Sequence, residues 1–378
     1  MNSQSSAINL ATVTAVPAVP FSKPATSATT VGRAKERVQF LDAIRGLAAT
    51  AVVVEHCCEK FHPGYLHWAS AHFSLGVFGV ATFFLVSGFI IPVSLERYSS
   101  LQRFWEARFF RLFPMYWVSL LLAVSLGVVG VFNLPPRFYS HPVATVLGNT
   151  SMLQTFFGIP NVIGVYWTLS LELVFYVLCS ALFFIGALSK TSLWAWSAIA
   201  GNLLLALALG FGLHRSFPAG QVAMLVSAFV GSVLYRVSRR ELDNSVVYRI
   251  LPVLLISFVV AFWFRFNQYP SSKDVDWFTF PCVLTSFTGA YALFGIFYVI
   301  RHLELPRFLL WLGRISYSLY LVHGLVLGFV PRGRDPEIRM LLVFVISVAV
   351  SGVTFRYIEQ PGIAIHQRRM KRLKTSSV

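Results

Sequence analysis

Apolar residues run through this chain in long continuous stretches. They show neither the alternation of a half-buried strand nor the one-sided stripe of a soluble helix. About ten such stretches stand out, at residues 39–59, 72–94, 111–132, 166–188, 193–213, 219–236, 247–266, 278–300, 308–330 and 338–358. Each is close to the ~20 apolar residues that a helix needs to cross a bilayer core of ~30 Å. Backbone groups in that core meet no water, so a spanning segment is either a helix or part of a closed barrel. Barrel strands alternate apolar and polar positions, and these runs do not. The expected fold class is all-α, a polytopic integral membrane protein with about ten transmembrane helices.

The segments between the runs set the organisation. Residues 1–36 are rich in Ser, Thr, Ala and Pro, with Lys23 as the first basic residue, and read as a disordered cytoplasmic tail rather than a signal peptide. Residues 37–361 form the transmembrane domain and 362–378 a basic cytoplasmic tail. The segment 133–165, containing Met152 to Phe157, reads as an outer loop or re-entrant piece. Basic residues concentrate in the N-terminal tail, Arg97 to Arg111, Lys190, Arg236 to Arg249, Arg301, Arg307, Arg314 and the C-terminal tail. The opposite loops hold fewer: Lys60, Arg137, Arg215, Arg265, Lys273, Arg332, Arg334 and Arg339. The richer side, which carries both termini, is expected to be cytoplasmic, in the inner (plasma) membrane.

Composition narrows the class. The chain is 56% hydrophobic and only 12% charged, half the charged share of a typical soluble domain. The net charge of +16 is spread over short loops and both ends, which fits topology and anionic headgroups rather than nucleic acid. Cys57, Cys58, Cys179 and Cys282 have no metal-binding or disulfide spacing and read as small packing residues. No metal site and no permanently bound cofactor are expected.

Ionisable residues inside the spans are costly, so each is a candidate for function. The first span carries Asp42, Arg45, Glu55 and His56. Arg45 and His56 are separated by eleven residues, which at ~100° per residue puts them within ~20° of one helix face and ~16 Å apart along it. Asp42 is one turn from Arg45 and can pair with it. A plainer reading makes Asp42 and Arg45 an interfacial cap and His56 the far end of the span. Arg108 and Arg111, at i and i+3, suit bidentate phosphate binding, or simple anchoring at the basic face beside Trp105. Glu172 and Tyr176 share a face of the fourth span, and the carboxylate can orient a histidine, hold an acceptor or partner an arginine. Ser316, Tyr320 and His323 form a polar stripe that lines a cavity or joins helices. Pro361 after Glu359 fits a helix end.

In order along the chain, these motifs resemble the membrane-bound acyltransferase family three, over about Val38 to Pro361. The Asp42-x-x-Arg45 start, the Arg45-x10-His56 pair, Phe83 to Ile90, Arg108-x-x-Arg111 with Pro114, Trp167 to Glu172 with Tyr176, Ile315 to His323, and Glu359-x-Pro361 each match a family motif. Thr168 stands where serine is commoner, and Leu173 where a second glutamate often follows. Some members carry a fused SGNH-type domain, and this sequence reads as the stand-alone form. The resemblance implies an acyl-CoA-dependent O-acyltransferase that takes acyl-CoA, by default acetyl-CoA, as donor substrate. Its acceptor would be a sugar hydroxyl of an exopolysaccharide, another envelope glycan or a lipid-linked oligosaccharide, with glycan-assembly proteins as neighbours.

On that reading Arg108 and Arg111 hold the coenzyme A phosphates, and the pantetheine arm threads inward along Asp42 and Arg45. His56 then acts as general base or as covalent acyl acceptor. Glu172 orients His56 or the acceptor, and Tyr176, Tyr320 and His323 line the substrate path. His56 and Arg45 are expected to face one common tunnel. The alternative is a glycan or lipid-carrier transporter without acyl-transfer chemistry. The hydropathy shows none of the two-halved symmetry that many transporters have.

Overall fold

A computed structural model describes residues 28–268 and 278–375, and these residues contain helices and connecting turns but no strand. Residues 1–27 of the tail expected at 1–36, with Lys23, and the loop residue Lys273 lie outside the described residues, whereas residues 28–36, expected as disordered, are helical and begin the first helix. The helices are α1 (Ala28–Phe61), α2 (Tyr65–Ala71), α3 (Leu75–Tyr98), α4 (Leu101–Val128), α5 (Pro136–Ser140), α6 (Pro142–Thr150), α7 (Tyr166–Phe184), α8 (Thr191–Ala206), α9 (Ala219–Ser238), α10 (Ser245–Trp263), α11 (Phe280–Val299), α12 (Arg307–Arg314), α13 (Ser316–Phe329), α14 (Pro336–Thr354) and α15 (Gln360–Thr375). Wider π turns extend α8 (Leu207–Gly212) and α10 (Phe264–Gln268) and join α14 to α15 (Phe355–Glu359).

Eight helices among the described residues are long and apolar enough to cross a bilayer. The pair α12–α13, bent by 73° at Ile315, makes a ninth if it counts as one span. Each of the ten expected stretches falls on one of these elements or on α1. The charges of α1 set it apart from the apolar set, yet it is enclosed: Ala43, Ile44, Ala48, Ala49 and Val53 are fully buried. It packs against α3, α11, α12, α13 and α14. A helix that carries Asp42, Arg45 and Glu55 can sit in a membrane protein only where other helices, not lipid, surround those groups.

Close crossings hold α1 and α3 in place. In a membrane, helix association rests on van der Waals contact, which small residues permit by letting backbones approach. A Cβ on Gly313 would fall 1.8 Å from the Asp42 carbonyl oxygen, so α12 lies directly on the backbone of α1. A Cβ on Gly88 would fall 1.8 Å from the Ala228 oxygen, which sets the α3–α9 crossing.

The segment 133–165 is folded and tied to α4. The hydroxyl of Tyr116 donates to the Asn149 carbonyl at 2.7 Å, and Trp117 Nε1 donates to Thr150 O at 3.0 Å. Buried Asn149 closes the segment, donating to Thr145 O and Pro160 O and accepting from Val162 N. The expectation that Pro361 ends a helix is corrected. The chain stays helical through Pro361, which lies in the first turn of α15 after the π turn. Proline is tolerated there because a first-turn N–H has no obligatory partner.

Candidate active site

Helix α1 presents Arg45 and His56 to two different cavities. One, called inner because it holds Arg108 and Arg111 of the basic segment, is about 270 Å³ and is lined by Asp42 and Arg45 of α1, Ser87 of α3, Arg108 and Arg111 of α4, Thr168, Glu172 and Tyr176 of α7, and Ser316 and Tyr320 of α13, with apolar neighbours. Three guanidiniums face two carboxylates in that lining, an excess of one positive charge.

Its polar groups divide into held and free. Glu172 Oε1 accepts from Ser87 Oγ at 3.0 Å and from the Tyr176 hydroxyl at 2.6 Å. Arg108 donates to Ser94 Oγ at 2.8 Å, with its guanidinium carbon 5.4 Å from the Phe104 ring centre and 5.9 Å from that of Tyr176. Its Nε is buried without a partner. Among the described residues, Arg45 and Arg111 make no hydrogen bond or ion pair. The expected Asp42–Arg45 ion pair does not form, although both side chains line the same cavity. Nearby, the buried Glu359, brought inward by its π turn, accepts from Ser318 Oγ.

The outer cavity, about 640 Å³, is mostly apolar, with Glu55, His56 and Glu59 of α1, Trp167 of α7, Gln221 of α9, Arg265 and His323 among its lining. His56 Nδ1 donates to Glu59 Oε2 at 2.7 Å. A carboxylate only accepts, so this bond fixes the tautomer of a neutral His56 and leaves the lone pair on Nε2. The ring lies parallel to His323, with centres 5.3 Å apart and planes 11° from parallel. His323 is 1% exposed, its Nδ1 donates to the Leu319 carbonyl at 3.1 Å, and its Nε2 has no partner.

Glu55 is tied down at the mouth of α3. It accepts from the Tyr65 hydroxyl, from Ser74 Oγ at 2.6 Å and from Leu75 N at 3.0 Å. Ser74 in turn caps α3 by accepting from Val77 N. Burial, and then the Glu55 carboxylate, push the phenol of Tyr65 far above its usual range. That connecting-helix hydroxyl therefore remains a donor at every physiological pH.

Where the sequence suggested one common tunnel, the structure has two adjoining cavities. Val80 and Tyr320 line both of them. Asp42, Arg45, Arg108, Arg111, Glu172 and Tyr176 gather in the inner cavity, His56 and His323 in the outer one, and Tyr320 stands between. Glu172 is not the group that orients His56, because it is engaged with Ser87 and Tyr176 on the inner side. Glu59 holds that position. Its spacing of i+3 from His56 on one helix was a readable signal. Val80 carried no signal, being one valine in an apolar run.

The family described as "Acyltransferase domain" matches residues 38–356. Exopolysaccharide production protein ExoZ of Rhizobium meliloti is 27% identical over 284 residues, which are 69% of this chain and 80% of that protein. Acyltransferase MdmB of Streptomyces mycarofaciens is 30% identical over 150 residues, 37% of this chain and 38% of its own length. Nodulation protein 10 of Rhizobium leguminosarum bv. viciae is 32% identical over 152 residues, 36% of this chain and 41% of its own length. No solved structure matches the chain.

Proposed function

The chain belongs to the acyltransferase domain family, and on that premise we propose that it moves an acyl group, in the first instance acetyl, from a cytoplasmic acyl-CoA to a sugar hydroxyl of an exopolysaccharide or other cell-envelope glycan. The similarity to an exopolysaccharide production protein supports the acceptor class. The positive-inside bias supports a plasma-membrane orientation with both termini and the inner cavity toward the cytoplasm. The transmembrane domain over 37–361 would then hold the whole site.

One observation carries the reading. A single helix delivers a guanidinium to a cationic inner cavity and an imidazole, already tied to a carboxylate, to an outer one. Arg45, Arg108 and Arg111 would receive the phosphates at the inner side, as guanidiniums suit them. The pantetheine arm would carry the thioester toward His56, along the ~16 Å that separates the two residues on α1. The acceptor hydroxyl would enter the outer cavity, so coenzyme A need not cross the membrane.

At His56 the hydroxyl oxygen attacks the thioester carbonyl. The new C–O bond forms, the C–S bond breaks, and the hydroxyl proton passes to His56 Nε2. The departing thiolate then takes that proton and leaves as coenzyme A. Glu59 holds the imidazole in the required tautomer and stabilises the imidazolium while it exists.

The test uses membranes from cells with and without this chain, incubated with acetyl-CoA labelled in the acetyl group. Mass spectrometry of the envelope and secreted polysaccharide follows. O-acetyl groups present only with the chain are the expected result. Identical polysaccharides, with no label transferred, would sink the proposal.

A further inference from the structure

We propose that Val80 and Tyr320 form a width filter that admits unbranched acyl groups and rejects acyl groups branched beside the carbonyl. The filter rests on the donor reading above and names which acyl-CoA molecules the site accepts. The phosphate-binding cations line one cavity and the histidine base lines the other. Whatever joins the two must pass where the cavities meet. Among the described residues, Val80 and Tyr320 are the two that line both.

Both side chains are held from behind. The Tyr320 hydroxyl and Thr168 Oγ1 are 2.7 Å apart, and the same hydroxyl donates to the Val165 carbonyl at 3.3 Å. The Tyr320 ring meets Phe83 edge-on with centres 5.8 Å apart. On the other side, α3 is pressed against α1. A Cβ on Gly79 would fall 2.6 Å from the Ala48 carbonyl oxygen, so the backbone beside Val80 has no room to retreat. Packed interiors respond to a change of one methylene, and a pocket of fixed shape discriminates by about 10- to 200-fold for one such group.

Width, not length, is what such a passage reads. The cysteamine end of the pantetheine arm is an unbranched chain, and a straight acyl group leading it is broadened only by its carbonyl oxygen, which projects less than a methyl group. The two geminal methyls of the arm lie near its phosphate end and stay in the inner cavity. A straight acyl tail that has passed the gap enters the larger outer space. A methyl branch next to the carbonyl has to pass the gap together with the carbonyl before the thioester reaches His56, and it is there that the gap excludes it.

Butyryl-CoA and isobutyryl-CoA test this directly, because they have the same atoms and differ only in the branch. Each is supplied with a labelled acyl group to membranes containing the full chain, and label in the polysaccharide and glycolipid fractions gives kcat/KM. The ratio of the two values is independent of how much protein is folded. The wild type should favour butyryl by about tenfold or more. Val80→Ala, which widens the gap, and Tyr320→Phe, which cuts the tether to Thr168, should both bring the ratio toward one. A wild type that treats the isomers alike, or a ratio that survives in both variants, overturns the filter. If acetyl is transferred but neither isomer is, Val80→Ala must gain butyryl first, and a variant that gains neither also overturns it. If the wild type transfers no acyl group from any of the three donors, the acyl-CoA reading falls and the filter with it.

Discussion

The two cavities on either side of Tyr320 differ in which charged groups they leave free, cations on the inner side and no carboxylate on the outer. On the inner side Arg45 and Arg111 make no bond among the described residues, and Arg108 keeps a buried Nε without a partner. On the outer side the carboxylates are already in use, Glu59 on His56 and Glu55 on three donors. Unpaired cations enclosed by helices are costly, and an anionic ligand that meets them recovers that cost. Groups already fixed in place are what a chemical step requires, because their orientation is set before charge develops. The difference separates binding from chemistry, and each half can be broken independently.

The largest effect is expected on the outer side. His56→Ala should lower acyl transfer by about 10²–10⁴-fold, while coenzyme A binding, measured by calorimetry in nanodiscs, stays unchanged. Glu59→Gln should act in the same direction and less. A hydrogen bond to a charged partner contributes about 1.5–3 kcal/mol, so the expected loss in kcat is about ten- to a hundredfold. A Glu59→Gln variant with wild-type kcat would leave the carboxylate a bystander at the end of α1. On the inner side, Arg111→Gln should raise the dissociation constant for coenzyme A by about tenfold or more with a smaller change in kcat. Its remaining affinity should depend less on salt than that of the wild type. A Arg111→Gln variant that lost kcat alone would merge the two halves into one site.

The helices were legible because bilayer thickness imposes a length on apolar runs, and all ten stretches fall on helices. The enclosed position of α1 was legible too, since Arg45 and His56 would not be tolerated against lipid. Arg108 and Arg111 line a cavity together, and so do Glu172 and Tyr176, as the shared helix face of each pair implies. What the residues did not disclose was the division between Arg45 and His56. That depends on Val80 and Tyr320, from two helices remote in sequence, lining both cavities, and no local pattern encodes such a placement. Glu59 stands near the end of a span, where a charge belongs to the interface in any membrane helix, so its position alone does not single it out. Pro361 misled because a proline usually marks a boundary, whereas here a π turn leads into it.

The smallest effect sharpens the contrast from the side of stability. Glu55 accepts from Tyr65, from Ser74 and from the backbone N–H of Leu75, so one carboxylate joins α1, α2 and the start of α3. Glu55→Gln keeps the shape but offers one carbonyl oxygen and an amide that can only donate. With its oxygen kept toward Tyr65 and Leu75 N, the amide can only donate to Ser74, whose hydroxyl must turn from donor to acceptor, and bonds to a charged carboxylate become neutral ones, at a cost of about 1–3 kcal/mol. For a domain of this size, larger than those in which each kcal/mol shifts Tm by about 2–4 °C, that corresponds to a fall in Tm of a few degrees at most. Thermal unfolding in nanodiscs should show it, and affinity for coenzyme A at low temperature should be unaffected because no inner-cavity group is touched. A Glu55→Gln protein that bound coenzyme A poorly while keeping its Tm would show that the outer carboxylates reach the inner cavity after all, and the contrast between the halves would fail at its best-bonded residue.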